Sequence, residues 1–294
     1  MNKPTKKQHY IPQVYLKGFS SDKPFVFAHW FTDENRISSK SVPIKTICVE
    51  KNLYEVEDKN GKIVLLNFVE KCLSFFEGKI ARFFKDLERK AYNEKNLETK
   101  CFFTSDEKCF WRLFVALQML RLPKVINCAK EFTLDYFDNS VSPNEAFFTA
   151  MKKCLPFFET LNEQSINCLS IVYNQMCKMS IELGVEKSGR IITSDCPCYF
   201  YSIDKSIECL EIVIFPISSN LVLVFHGGSR MKVDYKNRLF MIDDLQLIIK
   251  SIAYCADKMI ISSHELSVDE KEWIIAARKD KTNDSSKKIK NDTE

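Results

Sequence analysis

Apolar residues recur every three or four positions through a proline-free stretch that begins at Asn67. The residues in this register are Phe68, Cys72, Phe75, Phe76, Ile80, Phe83, Phe84 and Leu87. A period near 3.6 places them on one face of a long amphipathic helix, which must bury that face against other elements. The segments before and after this stretch are richer in β-branched and aromatic residues. The chain is therefore predicted to be α+β, with strands at both ends and long helices between them.

The first 66 residues are predicted to form a small lobe of β hairpins. Residues 25–38 contain two β-branched or aromatic runs around a polar turn, which is the pattern of a hairpin. A second pair of strands is expected within 52–65, where Asp58-Lys59-Asn60-Gly61 favours a tight turn. The helices should begin directly after this lobe.

Helices are predicted to occupy most of residues 67–184. Thr104 and Glu107 have the spacing of a capping box, so a second helix should begin near Ser105. Pro123 should end or kink that helix, because the residue before a proline disfavours the helical conformation.

Two further helices are expected at 144–154 and 161–183, and Gly184 should stop the second. A second β region with a final helix is expected over about 190–262. Its strands are predicted to form a mixed or antiparallel sheet, and the final helix to cover 242–261.

The length of 294 residues is near the upper limit for one core, so residues 1–278 are predicted to be a single domain. Residues 279–294 are mainly Lys, Asp, Asn and Ser, with almost nothing apolar. Such a composition cannot bury enough surface to offset the entropy of ordering, so this tail is predicted to be disordered.

The charge and cysteine content of the chain indicate its cellular compartment more clearly than its binding partner. The 43 basic and 39 acidic residues give a net charge of +4, too little to indicate nucleic acid or an anionic membrane. The 12 cysteines do not have the spacing of a zinc site and are expected to be mostly buried thiols. No run of about 18 apolar residues occurs, and the chain is predicted to be cytoplasmic without a membrane span.

The densest group of chemically capable residues lies near the N-terminus, from Gln8 to Phe19. His9 titrates near neutrality and can act as an acid, a base or a ligand, while Tyr10 and Gln13 add hydrogen-bonding groups. The alternative is a structural histidine whose ring is satisfied inside the core, and this pattern alone does not separate the two.

Gln118 and Arg121 lie three residues apart, so they share one face of the second predicted helix. An arginine beside an apolar stripe can bind a carboxylate and hold two elements together. It can also present its guanidinium to an anionic ligand such as phosphate. Both interpretations stay open at this stage.

A polar break, Thr193-Ser194-Asp195-Cys196-Pro197, follows a short apolar strand. Asp195 could orient His9, bind a metal ion or act on a substrate hydroxyl, and Ser194 would lie beside it. The same residues are also common in ordinary turns, where the aspartate bonds its own backbone.

Missing motifs narrow the range of functions. The chain has no Gly-rich phosphate loop, no His-Glu-x-x-His and no Gly-x-Ser-x-Gly. Cys196 and Cys198 are separated by one residue, which suits neither a thioredoxin-like motif nor zinc. A divalent metal therefore has no support from ligand spacing, although Asp195 leaves one open.

Several short segments together resemble a known family. They are Lys7-Gln8-His9-Tyr10-Ile11-Pro12-Gln13, Asn52-Leu53-Tyr54, Gln118-Met119-Leu120-Arg121-Leu122-Pro123, Thr193-Ser194-Asp195-Cys196-Pro197 and Phe215-Pro216-Ile217-Ser218. Their order and spacing over residues 6–260 resemble the bacterial domain of unknown function 4238 family. The resemblance implies no established reaction. It does imply a site built from His9, Tyr10, Gln13, Gln118, Arg121 and Asp195.

One hypothesis is a hydrolase or nuclease that acts on a phosphate ester. In that mechanism His9 moves the proton and Arg121 stabilises negative charge on the phosphoryl oxygens. Asp195 orients His9 or holds a divalent ion. The residues expected to contact the substrate are Tyr10, Gln13, Gln118 and Ser194.

The second hypothesis is a non-catalytic recognition module, such as a sensor or effector in a defence or stress system. The same residues would then bind a nucleotide, a peptide or a protein partner. Both hypotheses predict one open cleft on which four side chains converge: His9, Gln118, Arg121 and Asp195. Separate buried hydrogen-bond networks would instead indicate that these residues only hold the fold together.

Overall fold

The structure is a computed structural model of the 294-residue chain. It describes residues 7–21, 24–33, 36–57, 63–65, 68–93, 102–126, 168–202, 210–227, 239–242 and 244–291. The helix expected at 144–154 lies outside these residues. The described elements form an α+β fold with strands first, helices next, and a second sheet and helices at the end, as predicted.

The N-terminal hairpin consists of β2 (Phe25–Asp33) and β3 (Arg36–Pro43), paired antiparallel. It does not stand alone. Two strands from the C-terminal half, β8 (Thr193–Ser194) and β13 (Met259–Ser262), extend its sheet in the order β3-β2-β13-β8. Alternation in a sequence identifies a strand but not its neighbours, so this joining of the two ends of the chain was not predicted.

His29 holds this four-stranded sheet together from inside. Its Nδ1 lies 2.8 Å from Ser39 Oγ, and its Nε2 lies 2.8 Å from Ser262 Oγ. Because the Ser262 hydroxyl donates to the carbonyl of His264, it must accept from His29 Nε2–H, so the ring is the neutral Nε2–H tautomer. Burial, and after it the charge of His264, lowers the pKa of His29 to about 4.

The second sheet has five strands. They are β7 (Ser180–Val185), β9 (Tyr199–Ser202), β10 (Leu210–Pro216), β11 (Leu221–His226) and β12 (Leu239–Met241). The spatial order is β12-β7-β11-β10-β9, and every pair is antiparallel except β12 with β7. The sheet is therefore mixed, which is one of the two forms predicted.

Two small ribbons complete the β structure. β1 (Lys7–His9) pairs with β4 (Val49–Lys51), and β5 (Val56–Glu57) pairs with β6 (Ile63–Leu65). A hairpin was predicted here, but its first strand begins at Val56 rather than at Asn52, because residues 52–54 form a turn in which Asn52 has a positive φ. The predicted turn at 58–62 lies outside the described residues.

The N-terminal motif continues into α1 (Gln13–Leu16) and a 3₁₀ turn at Lys17–Phe19, and a second 3₁₀ turn follows β3 at Ile44–Thr46. At Gly18 the backbone lies so close to the β10–β11 turn that an added Cβ would be 2.6 Å from the carbonyl oxygen of Ile217. Only glycine permits this approach without a shift of the backbone.

The long helix is α2 (Phe68–Asn93), and the next is α3 (Ser105–Leu120). Both were predicted. The capping box is present, because Thr104 Oγ1 accepts from Glu107 N–H while the Glu107 carboxylate accepts from Thr104 N–H. α3 ends before Pro123, which begins a new helical turn.

The helix predicted over 161–183 is described as α4 (Cys168–Cys177), and the prediction is wrong from Ser180 onward. Ser180–Val185 is β7, a strand with β11 on one side and β12 on the other. Its residues are buried on both faces, so Ile181 and Leu183 show no alternation with exposed positions. An apolar run of this kind fits a helix and a strand equally well.

The helix predicted over 242–261 is α5 (Leu245–Cys255), which begins where the Asp244 carboxylate accepts from Leu247 N–H at 2.9 Å. Its predicted C-terminal part is wrong, because Met259–Ser262 forms β13. The apolar residues of a buried strand extended the helical pattern beyond the true end of the helix.

A last helix, α6 (Val268–Asn291), was not predicted and covers most of the segment 279–294 that was expected to be disordered. Its first half is anchored, because Ile274 and Ala277 are buried against α5. Lysine is a good helix former, so an anchored helix can continue through a polar sequence that would not form one alone.

Tyr15 connects the N-terminal motif to the centre of the core. Its ring lies 6.2 Å from that of Phe84 on α2 and 5.2 Å from that of Phe215 on β10. Its hydroxyl lies 2.7 Å from Thr193 Oγ1 on β8. One buried side chain thus contacts a helix and both sheets, which positions the preceding residues His9 and Tyr10.

Candidate functional site

The N-terminal motif is held by pairing along β1. His9 lies opposite Val49, and the N–H of Tyr10 donates to the carbonyl of Cys48 at 3.1 Å. Both turns that flank β4 contain a residue with positive φ, Cys48 at 52° and Asn52 at 55°. These turns bend the chain so that β4 and the residues after it lie beside the motif.

Arg121, at the end of α3, is the centre of a buried network, with a residue exposure of 2%. Its Nη1 donates to Glu77 Oε1 at 2.9 Å, its Nη2 to the His9 carbonyl at 3.0 Å, and its Nε to the Tyr54 hydroxyl at 3.3 Å. Burial alone would lower the pKa of Arg121, but Tyr54 and Glu77 raise it above its ordinary value. The guanidinium is therefore a charged connector of α2, α3, β1 and the turn after β4.

Gln8 extends this network. Its Oε1 accepts from the N–H of Tyr54 at 2.7 Å, and its Nε2 donates to Glu55 Oε1 at 2.9 Å. The Tyr54 hydroxyl donates to the His9 carbonyl at 3.1 Å. Gln8 and Tyr54 lie within the segments that carry the family resemblance, but their roles as connectors were not predicted. We name Gln8, His9, Tyr54, Glu77 and Arg121 the Arg121 network.

Two buried polar atoms that belong to predicted site residues have no hydrogen-bond partner among the described residues. They are Nε2 of His9 and Nε2 of Gln118, and Gln118 is 2% exposed. Burial lowers the pKa of His9, Glu77 opposes that effect, and Arg121 reinforces it. His9 is therefore a neutral imidazole at pH 7.

Asp195 performs a different task at the end of β8. Its two carboxylate oxygens accept from the N–H groups of Asp257 at 2.9 Å and Lys258 at 2.7 Å. Burial raises the pKa of Asp195, and these backbone bonds act in the opposite direction. Ser194 is buried, and its hydroxyl bonds to the backbone of Cys196. Ser194 thus makes a local turn bond, whereas Asp195 does not bond its own backbone and instead holds the distant α5–β13 turn.

A small cavity of about 70 Å³ lies beside Asp195. Its lining includes Tyr10, Glu50, Leu122, Pro123, Lys124, Asp195, Cys196, Cys255, Asp257 and Lys258. Burial raises the pKa of the Tyr10 hydroxyl, and Cys48 and Asp195 raise it further, so this group stays protonated. The cavity brings Tyr10 and Asp195 together, without His9, Gln118 or Arg121.

A larger cavity of about 550 Å³ lies where the end of β2 meets α6. It is lined by Trp30, Phe31, Asp33, Asp257, Lys258, Arg278, Lys279, Thr282 and Asn283. The guanidinium of Arg278 lies 3.9 Å from the centre of the Phe31 ring. We name this site the α6 cavity. Asp257 and Lys258 line both cavities, so the turn held by Asp195 separates them.

The predicted site residues fall into separate places. His9 and Arg121 share one network, whereas Asp195 and Ser194 lie at the α5–β13 turn. Neither of the two cavities is lined by His9 or Arg121. Gln13 is exposed at the first position of α1.

The α6 cavity was not predicted from the sequence. Consecutive aromatic residues at the end of a strand, Trp30 and Phe31, were a signal for it. The other wall, around Arg278, lies at the border of the segment that was predicted to be disordered. Because α6 was not predicted, the aromatic residues of β2 alone could not indicate a cavity.

No group of three or more His, Cys, Asp or Glu side chains in the described part of the chain is arranged to hold a metal ion. None of the helices described there combines the length and apolar character needed to cross a membrane.

Comparison with known proteins gives one family. Residues 7–265 match the profile of the family described as "Protein of unknown function (DUF4238)". No curated protein and no solved structure matches the chain. The match covers most of the sequence, so the chain belongs to this family.

Proposed function

We propose that this member of the family is a recognition module that binds a nucleotide-like ligand, an aromatic base carrying phosphate, in the α6 cavity. The observation that carries the proposal is the combination of aromatic rings and basic side chains around one open space. A volume of about 550 Å³ is within the usual range for small-molecule sites.

The aromatic part of the cavity suits a flat ring. Trp30 and Phe31 follow each other at the end of β2, and Trp30 remains partly exposed. Arg278 already covers Phe31. Bases stack on aromatic faces and on guanidinium planes, and such stacking contributes about 1–3 kcal/mol per base.

The charged part suits an anion. Three basic residues, Lys258, Arg278 and Lys279, line the cavity together with two acidic ones, Asp33 and Asp257. The Asp257 carboxylate is already paired, because Lys124 Nζ lies 2.7 Å from its Oδ1. Lys258 Nζ lies 3.9 Å from Glu50 Oε1, so Arg278 and Lys279 supply most of the positive charge available to phosphate oxygens.

Arg278 is held in position before any ligand arrives. Its Nη1 donates to the carbonyl of Ala256 at 2.8 Å, at the C-terminal end of α5. Together with the Phe31 contact, this bond limits the side-chain freedom that binding would otherwise remove. A pre-oriented guanidinium favours recognition of a planar anionic group.

Calorimetric titration with AMP tests the proposal. Adenosine and inorganic phosphate, the two parts of AMP, are titrated separately. AMP should bind more tightly than either half. The Lys258→Ala variant should weaken AMP binding roughly fivefold to tenfold, because a charge-assisted hydrogen bond is lost. Lys40→Ala is the matched control, since Lys40 is an exposed lysine of β3 that does not line the cavity.

Two results would contradict the proposal. One is the absence of any AMP binding at millimolar concentration. The other is an equal loss of affinity in Lys258→Ala and Lys40→Ala, which would indicate a general effect of net charge rather than a site.

A second candidate is hydrolysis of a phosphate ester at His9, and a specific observation favours it. His9 Nε2 and Gln118 Nε2 are buried without partners among the described residues, and such atoms are found at catalytic sites. His9 would transfer the proton, with Glu77 nearby. Arg121 would act only as a positioning residue in this mechanism, because its donors are already bonded to protein.

This second candidate is tested by incubating the protein with RNA, single-stranded DNA and a chromogenic phosphate monoester. Turnover that His9→Ala abolishes, while the variant keeps its thermal unfolding midpoint, would support hydrolysis. Turnover that is unchanged in His9→Ala would rule out His9 as the proton carrier.

A further inference from the structure

We infer that Cys196 and Cys255 are a redox couple, a dithiol that converts to a disulfide and then fixes the α5–β13 turn to the end of β8. Neither cysteine was predicted to have a chemical role. Such a couple needs two thiols that lie side by side and that a small oxidant can reach. The disulfide must also connect segments whose relative position matters.

The first two requirements are met by the geometry. Both residues are free cysteines of intermediate exposure, and both line the small cavity beside Asp195. Asp195, next to Cys196 in the chain, accepts from the N–H of Asp257 at 2.9 Å, and Asp257 lies two residues after Cys255, so the two cysteines are brought side by side. A cavity of about 70 Å³ has room for a molecule the size of hydrogen peroxide.

A basic side chain lies beside the two thiols. The neighbouring Cys255 thiol and burial raise the pKa of Cys196, and the charge of Lys281 opposes that rise. Lys281 Nζ donates to the Cys255 carbonyl at 3.4 Å. A neighbouring cation favours formation of the thiolate that attacks the oxidant, and the other thiol of the pair then resolves the product.

The chemistry balances with hydrogen peroxide as the oxidant. The thiolate of one cysteine attacks one peroxide oxygen, the O–O bond breaks, and the departing hydroxide takes a proton to become water. The second cysteine then attacks the sulfenic sulfur, and the second oxygen leaves as water. Two thiols and one peroxide thus give one disulfide and two waters, with two electrons passing from sulfur to oxygen.

The bond would join segments that Asp195 already connects. Cys196 follows Asp195 directly, and Cys255 lies two residues before Asp257. The hydrogen bonds from Asp257 and Lys258 to Asp195 are reversible, whereas a disulfide is covalent. Oxidation should therefore hold the turn in one position and slow its local opening.

Because Asp257 and Lys258 also line the α6 cavity, oxidation should alter ligand binding there, a step that rests on the proposed function. A turn that is fixed before binding loses less entropy on binding. The oxidised protein should then bind AMP more tightly than the reduced protein.

Peptide mapping tests the couple directly. The full chain is treated with hydrogen peroxide, the remaining thiols are alkylated, and the digest is analysed by mass spectrometry with and without reduction. A reducible cross-link between the Cys196 and Cys255 peptides is the expected result. Alkylation of both residues after peroxide treatment, or their oxidation to separate sulfinic acids, would overturn the inference.

Exposed cysteines supply the internal control. Cys109 and Cys177 are exposed and should be alkylated readily in the reduced protein. The Cys255→Ser variant should lose the cross-link, and Cys109→Ser should keep it. Cross-linking that persists in Cys255→Ser through another cysteine would also overturn the assignment.

Two further measurements separate this inference from the proposed function. Hydrogen exchange at the amides of Asp257 and Lys258 should slow by roughly threefold or more on oxidation, with no ligand present. AMP affinity should rise on oxidation in the wild type and stay constant in Cys255→Ser. If the cross-link and the slower exchange are found but AMP does not bind, the redox couple stands and the proposed function fails.

Discussion

Two arginines define two different regions of the molecule. Arg121 is 2% exposed, and its donors are bonded to Glu77, the His9 carbonyl and the Tyr54 hydroxyl. Arg278 is partly exposed, with one face on Phe31 and its Nη1 on a backbone carbonyl. The first is enclosed by partners and the second lines an open cavity.

Accessibility separates a structural arginine from one that binds a ligand. A guanidinium can recognise an anion only if donors and one face remain accessible. By that criterion the Arg121 network holds the N-terminal motif onto α2 and α3, and the α6 cavity is the site at which we propose that an anion binds. The family resemblance implied a ligand site in the first region, whereas the accessible arginine lies in the second.

Arg121→Ala should give the largest change in stability. Removing one partner of a buried ion pair typically costs about 3–5 kcal/mol, because the remaining groups are left unpaired. Here the Glu77 carboxylate and the His9 carbonyl would lose a donor. Urea denaturation should show this loss.

Arg82→Ala is the control for that variant. Arg82 lies on the exposed face of α2, with a side-chain exposure of 87%. Its replacement should change stability by less than about 0.5 kcal/mol. Equal losses in the two variants would contradict the structural role of the Arg121 network.

Acid should weaken the sheet beside the α6 cavity through His29. The pKa of His29 is about 4 in the folded protein, against an ordinary value of 6.5, so the unfolded chain binds this proton first. Stability should therefore fall by about 3 kcal/mol as pH drops from 6.5 to 4. Urea denaturation across this range measures the effect.

His29→Gln isolates that contribution, because glutamine does not titrate. The difference in stability between wild type and variant should depend on pH between 6.5 and 4. Parallel curves for the two proteins would show that His29 is not buried as a neutral group.

Asp195→Ala should have an intermediate effect. The carboxylate accepts two backbone N–H groups of the α5–β13 turn, and hydrogen bonds to charged groups are worth about 1.5–3 kcal/mol. We expect a loss of about 2 kcal/mol in urea denaturation. A catalytic Asp195 would instead abolish turnover while leaving stability nearly unchanged.

Arg278→Ala should have the smallest effect on stability and a clear effect on binding. The cation–π contact with Phe31 and the bond to Ala256 are partly exposed, so their loss should cost about 1 kcal/mol. AMP affinity should fall roughly tenfold in calorimetry. The opposite ranking, a large loss of stability with unchanged affinity, would make Arg278 a second structural arginine.

Local patterns predicted the elements that depend on local chemistry. The capping box of Thr104 and Glu107 located the start of α3, and the 3.6-residue period located α2. The predictions were wrong for elements whose conformation depends on tertiary contacts. β7 is buried on both faces and carries no alternating pattern, and the second half of α6 continues from an anchored first half.

For a similar reason, the predicted site residues lie in two places rather than in one cleft. His9 and Arg121 share a network, and Tyr10 and Asp195 share a cavity. A sequence does not show whether a polar side chain bonds to a ligand or to backbone. Asp195 and Arg121 both bond to backbone, which only their positions against Asp257, Lys258 and His9 reveal.

Hydrogen exchange with and without AMP tests whether the ligand binds in the α6 cavity rather than at the Arg121 network, because it reports both regions in one experiment. Bound AMP should protect the amides around Phe31, Lys258 and Arg278, which surround the α6 cavity, and leave those around His9 and Arg121 unchanged. Protection around His9 and Arg121, with none at the α6 cavity, would contradict the account and move the ligand site to the Arg121 network.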